Sequence, residues 1–153
     1  MQKKNILTAC AVLLSLGVLN AQAESDPEDI IKYRRNVMKT NGANMAAANA
    51  ILKGKVKEFD TRLGDHAKTV QLFTKNVPAL FPEGSDFGDT EALDSVWSKR
   101  AEFEKKAKDT EQKASGFVKA VASKNQNDMQ AKFKALSDSC GACHKDFRKE
   151  EKQ

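Results

Sequence analysis

The stretch Met129-Gln130-Ala131-Lys132-Phe133-Lys134-Ala135-Leu136-Ser137-Asp138-Ser139-Cys140-Gly141-Ala142-Cys143-His144-Lys145-Asp146-Phe147 decides the fold. Its apolar and sulfur-bearing residues, Met129, Phe133, Leu136, Cys140, Cys143 and Phe147, recur at alternating gaps of four and three. That period places them on one face of an α-helix. Both cysteines therefore face inward, with His144 one position beyond the second.

Three upstream segments carry the same period, and none shows convincing strand alternation. The first opens at Asp26-Pro27, a capping residue followed by proline at the first helical position, and turns Ile30, Ile31, Val37, Met38, Met45 and Leu52 inward before Gly54 ends it. The second places Val56, Phe59, Leu63, Ala67, Val70, Phe73 and Val77 on one face until Pro78 and Pro82 stop it. From Leu80 to Asp89 the composition is that of an ordered connection, which Phe81 and Phe87 pin to the core. The third helix is expected from about Glu91 to Ala122, with a polar face of intermixed lysine and glutamate that reads as solvated. Four helices joined by mostly short links predict an all-α protein, an antiparallel up-down-up-down four-helix bundle.

At the other end, Lys3 and Lys4 precede an apolar run from Ile6 to Leu19, and Ala21-Gln22-Ala23 follows. This reads as a signal peptide over residues 1–23, cleaved after Ala23, and too short to span a bilayer. Leu7-Thr8-Ala9-Cys10 resembles a lipoprotein cleavage box, but most of the apolar run lies after Cys10, so no stable membrane anchor is expected. Residues 24–153 then form a single domain with one core. Loss of Lys3 and Lys4 lowers the formal charge from +5 to +3. Its interspersed signs give no nucleic-acid stripe. Only Cys140 and Cys143 remain as thiols, in a compartment that oxidises exposed ones.

Cys140-Gly141-Ala142-Cys143-His144 is the CxxCH pattern of covalent haem attachment. On a helix, positions i, i+3 and i+4 share a face, so two thiols can add to the haem vinyl groups while His144 turns toward iron. A structural zinc site would need four ligands, and His66 is the one further cysteine or histidine. A thioredoxin-type pair would need a βαβ setting, and a plain disulfide would leave His144 unexplained. His66 itself reads as a surface histidine rather than a ligand. Arg148, four residues after His144, is expected on the same side of the last helix, where it can screen that histidine or pair with a haem propionate.

The opposite axial position decides the chemistry. Met129 shares a helix with His144 about 22 Å away along its axis and is excluded. Met38 and Met45 lie about 10 Å apart on the first helix, so only one can be centred over iron. Gly42, one turn beyond Met38, would let a flat macrocycle approach the backbone and favours Met38. Both methionines could instead merely pack the core.

The chain resembles the class II c-type cytochromes, the cytochrome c′ and cytochrome c-556 group. The resemblance rests on Tyr33-Arg34-Arg35-Asn36-Val37-Met38-Lys39, Leu80-Phe81-Pro82, Val96-Trp97 and Cys140 to Arg148, and it covers essentially all of the mature chain. It implies one covalent haem c in the four-helix bundle, Met38 at the sixth-ligand position of the low-spin c-556 branch, and Arg148 as the basic residue beside the proximal histidine. It also implies a homodimer through the first two helices. The stretch Met38 to Met45 looks more like that branch, which implies a periplasmic electron carrier exchanging electrons with periplasmic redox proteins. The alternative is a five-coordinate, high-spin cytochrome c′ that binds nitric oxide or other small gases. No constellation for substrate turnover is present, and the chain is not expected to be an enzyme.

Overall fold

The structure is a computed structural model and describes residues 25–150. The expected signal peptide, including Cys10, lies outside these residues. Helix α1 (Pro27–Leu52) leads through a 3-10 turn (Lys57–Arg62) into α2 (Leu63–Thr74). A second 3-10 turn (Val77–Leu80) and a long connection reach the one-turn α3 (Ser95–Ser98), followed by α4 (Arg100–Ser123) and α5 (Gln126–Phe147). The four long helices pack in sequence, α1 on α2, α2 on α4 and α4 on α5, and contacts between α1 and α5 close the bundle. The described residues contain no strand beyond one isolated bridge, Ala92 with Arg148. Among them no helix is long and apolar enough to cross a membrane.

Local chemistry sets the ends. Asp26 accepts from the Glu28 N–H at 2.8 Å ahead of Pro27, and Asn125 accepts from the Asp128 N–H at 3.1 Å ahead of α5. Each satisfies a backbone donor that a helix start leaves orphaned. Gly54, at φ +65°, makes the reversal after α1 in a region that favours glycine.

Three expectations need correction. The second helix begins six residues late, because Lys57–Arg62 winds as a 3-10 turn. Side chains three apart align in such a turn, so Phe59 lines up with Arg62 and stays 53% exposed. Phe87 does not pin the connection and is 55% exposed; Phe81 is buried, as expected. The third helix does not start at Glu91, because residues 91–93 run as extended chain against the end of α5. There Leu93 N–H donates to the Phe147 carbonyl at 3.0 Å and Lys149 N–H to the Glu91 carbonyl at 2.8 Å.

The core divides in two. Ala48, Leu52, Leu63, Ala67, Phe117 and Leu136 belong to one cluster, against which Met45 and Cys140 pack. Phe81, Ala92, Val96, Phe103 and Phe147 form the other, joined by Met38 and Cys143. Edge-to-face contacts at centroid distances of 5.0 and 5.2 Å run from Phe81 through Phe103 to Phe147 and stiffen this second cluster.

Candidate functional site

Where α1 faces α5, the bundle holds a cavity of about 470 Å³. Cys140, Cys143 and His144 line it from α5, and Met38, Asn41, Gly42 and Met45 from α1. The two helices are antiparallel, as the split core shows. Cys140 and Met45 touch one cluster, whereas Cys143 and Met38 touch the other. His144 follows Cys143 toward the end of α5, so it stands nearer the level of Met38 than that of Met45. The residues singled out on α1 and α5 are thus brought to one chamber from opposite walls.

The two thiols are free and partly buried. Burial pushes the Cys143 thiol up to about 11, against the pull of the nearby Lys106 ammonium, and burial raises Cys140 as well. Both are neutral near pH 7, unlike the thiolate of a reactive redox pair. No group of three or more His, Cys, Asp or Glu side chains able to hold a metal ion occurs among the described residues. Lys106 on α4 donates to the Ala142 carbonyl at 3.2 Å and pairs with Asp146 at 2.7 Å, bracing the motif from outside.

These residues fit a covalently held haem. Two neutral thiols and an imidazole sit at i, i+3 and i+4 on one chamber wall. On the facing wall, a Cβ built at Gly42 would meet no atom within 4 Å, which leaves room for a flat ring against the backbone. The enclosing side chains are mainly apolar, with cations among them.

Arg148 is the C-terminal cap of α5. It lies beyond α5, with extended backbone at φ −123° and ψ 141°, and its N–H donates to the His144 carbonyl. The chain turns extended at this residue, where 147–149 pair with 91–93, and Arg148 lines the chamber together with His144, on the side expected. His66 is not among the lining residues. Its ring donates from Nδ1 to Asn44 Oδ1 at 2.8 Å, the role left open because the Asn44 amide already donates to the Thr40 carbonyl.

Sequence reasoning missed Arg34. It is 3% exposed and lines the chamber. It donates to Ser85 Oγ at 2.8 Å, the Ser85 carbonyl at 2.7 Å and Thr90 Oγ1 at 2.5 Å, and lies 4.7 Å over the Phe81 ring. Burial pulls its guanidinium below the ordinary value, and Asp86 opposes that. It remains charged near neutral pH, and these bonds use three of its five N–H groups. The signal was available: Arg34 occupies the inward register between Ile31 and Val37, where a cation calls for an anion.

A family model described as Cytochrome C' matches residues 29–148. The cytochrome c′ of Pararhodospirillum photometricum is 32% identical over 125 residues, which cover 81% of this chain and 99% of that protein. A cytochrome c-556 of Rhodopseudomonas palustris is 29% identical over 154 residues, covering 97% and 98%. The solved structure of cytochrome c prime from Shewanella frigidimarina superposes with a TM-score of 0.77 at 33% identity, covering 83% of this chain and 99% of that one.

Proposed function

The chain belongs to the cytochrome c′ family, whose members carry covalent haem c, and from that premise we propose that it is an exported, periplasmic electron-transfer cytochrome of the c-556 type. In this reading residues 1–23 are the cleaved export signal. Cys140 and Cys143 hold the haem by thioethers, and His144 and Met38 ligate its iron. The bound haem supplies reversible one-electron chemistry. The chain's own residues tether it, fix the imidazole and thioether on opposite walls, and keep water from the ring with the Phe81, Phe103 and Phe147 stack. Thioether ligation and burial both favour a raised reduction potential.

The observation that carries the reading is the shared level of Met38, Cys143 and His144. Met38 packs with the cluster that Cys143 joins, and Met45 packs with the other. Arg34 adds support. It stands one turn before Met38, about 6 Å along α1, whereas Met45 is about 16 Å from it. A buried cation there suits the propionate edge of a haem, with Arg148 as a second basic contact. Iron at the ring centre then falls near Met38. Tyr33 on α1 and Leu72 on α2, 59% and 63% exposed, are the apolar surface offered to a homodimer through these helices.

The test is Met38→Ala in haem-loaded protein, compared with Met45→Ala. Loss of the ferric sulfur-to-iron charge-transfer band and a high-spin spectrum are expected for the first variant only. An unchanged Met38→Ala spectrum would sink the ligation. A high-spin ferric spectrum in the unaltered protein would instead favour the five-coordinate, gas-binding reading, which the name of the 32% identical relative supports.

A further inference from the structure

Outside the chamber, one side chain of α4 reaches into the attachment motif. Lys106 crosses the α4–α5 seam, where its Nζ donates to the Ala142 carbonyl at 3.2 Å and pairs with Asp146 Oδ2 at 2.7 Å. Ala142 precedes Cys143 and Asp146 follows it by three residues, so the ammonium straddles the second cysteine of the motif. The other lysine–carboxylate pairs of these helices, Lys108 with Glu111, Lys113 with Asp109 and Lys134 with Asp138, each stay within one helix. Lys106 with Asp146 joins two, and does so at the motif.

The end of α5 that carries the carboxylate is fixed from the far side as well. Ser95 Oγ donates to the Asp146 carbonyl at 2.7 Å, and the Leu93 N–H donates to the Phe147 carbonyl at 3.0 Å. The hydrogen bond from Lys106 holds the Asp146 carboxyl below the ordinary carboxylate value, with Lys145 and Lys99 adding to the pull, and Asp146 raises Lys106 in turn. Both members are therefore charged near pH 7. Both charges act on Cys143, and the pull of Lys106 exceeds the push of Asp146. The two side chains are 36% and 47% exposed, and an exposed pair contributes little stability. Its consequence is the field it casts on Cys143 and on the group that Cys143 holds.

We propose that Lys106 is a positioning residue for the haem: seated on the Ala142 carbonyl, its ammonium raises the reduction potential, and Asp146 seats it there and holds that effect in check. Uptake of an electron makes the haem one unit less positive, so a nearby cation favours ferrous iron and a nearby anion ferric. Surroundings of this kind tune a haem beyond what its axial ligands set. The proposal rests on the reading that Cys143 and His144 hold a redox-active haem, and it does not depend on Met38.

The experiment measures the reduction potentials of haem-loaded Lys106→Met, Asp146→Asn, Lys106→Met/Asp146→Asn and Lys106→Arg by optical redox titration at low and high salt, together with the ferric spectrum and melting temperature of each. Lys106→Met is expected to shift the equilibrium about threefold toward ferric iron, which is roughly 30 mV for one electron. Asp146→Asn should shift it toward ferrous iron by less, the double variant should fall between the two, and Lys106→Arg should stay near the parent. High salt should shrink every shift, because both groups are partly exposed. A purely structural brace would move both single variants the same way, with altered spectra and lowered melting temperatures; that pattern, or an unshifted Lys106→Met, would overturn the proposal. A high-spin ferric spectrum in the unaltered protein would defeat the Met38 ligation alone and leave these comparisons in force. Absence of a reversible one-electron couple in the unaltered protein would defeat the electron-transfer reading, and this proposal with it.

Discussion

Replacing Arg34 by methionine tests whether one buried cation organises the chamber. The substitution keeps the length of the side chain and removes its charge and donors. Three hydrogen bonds go, but their acceptors do not suffer equally. Thr90 Oγ1 keeps the Ala92 N–H at 3.1 Å, and the Ser85 hydroxyl keeps its own bond to the Pro82 carbonyl at 2.8 Å. Stranding the Ser85 carbonyl costs about 1–3 kcal/mol. Losing the cation from the Phe81 face costs about 0.5–2 kcal/mol. Relief of a buried charge offsets part of this, which leaves a net loss of about 2–3 kcal/mol. For a domain of this size that lowers the melting temperature by roughly 6–12 °C. Thermal unfolding of the haem-loaded protein, followed by far-ultraviolet circular dichroism, reads it directly. The reduction potential should fall as well, because a nearby cation favours ferrous iron. Arg34→Lys should recover much of the potential and little of the stability, since an ammonium cannot reproduce the guanidinium fork. A melting temperature within about 2 °C of the parent's, with an unshifted potential, would refute the role given to Arg34.

Two further outcomes follow from the same geometry. Cys143→Ser should leave haem held by Cys140 alone, with the pyridine haemochrome band moved as expected for one saturated vinyl group, and Cys140→Ser/Cys143→Ser should release haem to acidified acetone; retention by the double variant would rule out thioether attachment at these positions. Leu136→Ala, at a fully buried side chain of the α4–α5 seam, should cost about 2–5 kcal/mol in urea unfolding with little change in the haem spectrum, and a loss under about 1 kcal/mol would mean that the seam repacks.

How far each element could be read from the sequence depended on where its stabilising partners lay. Helices α1 and α5 were legible because their caps are local: Asp26-Pro27 and Asn125 sit beside the donors they satisfy. The expected start of the third helix failed at Glu91 for the opposite reason. Residues 91–93 find hydrogen bonds with Phe147 and Lys149, more than fifty positions away, and no periodicity reports a bond to a distant segment. The same pairing begins where α5 ends, at Arg148. Phe59 misled because a period of three and a period of 3.6 both fit a short apolar run, and they part company over the six residues before Leu63.

The site was legible on one wall and obscure on the other. Cys140, Cys143 and His144 are contiguous, and a helix converts their spacing into a shared face without help from the rest of the fold. The facing wall depends on the register between α1 and α5, which only packing sets. Once Met38 and Cys143 are known to share a cluster, positions on α1 become positions across the chamber: Arg34 at its charged end, Met38 level with His144, Asn41 one turn further in. The same register separates roles that composition would merge. Arg34 and Asn41 are both polar residues on an inward face, but about 10 Å of helix divides them. The cation therefore stands at the Ser85 and Thr90 end of the chamber, and the amide toward its other end.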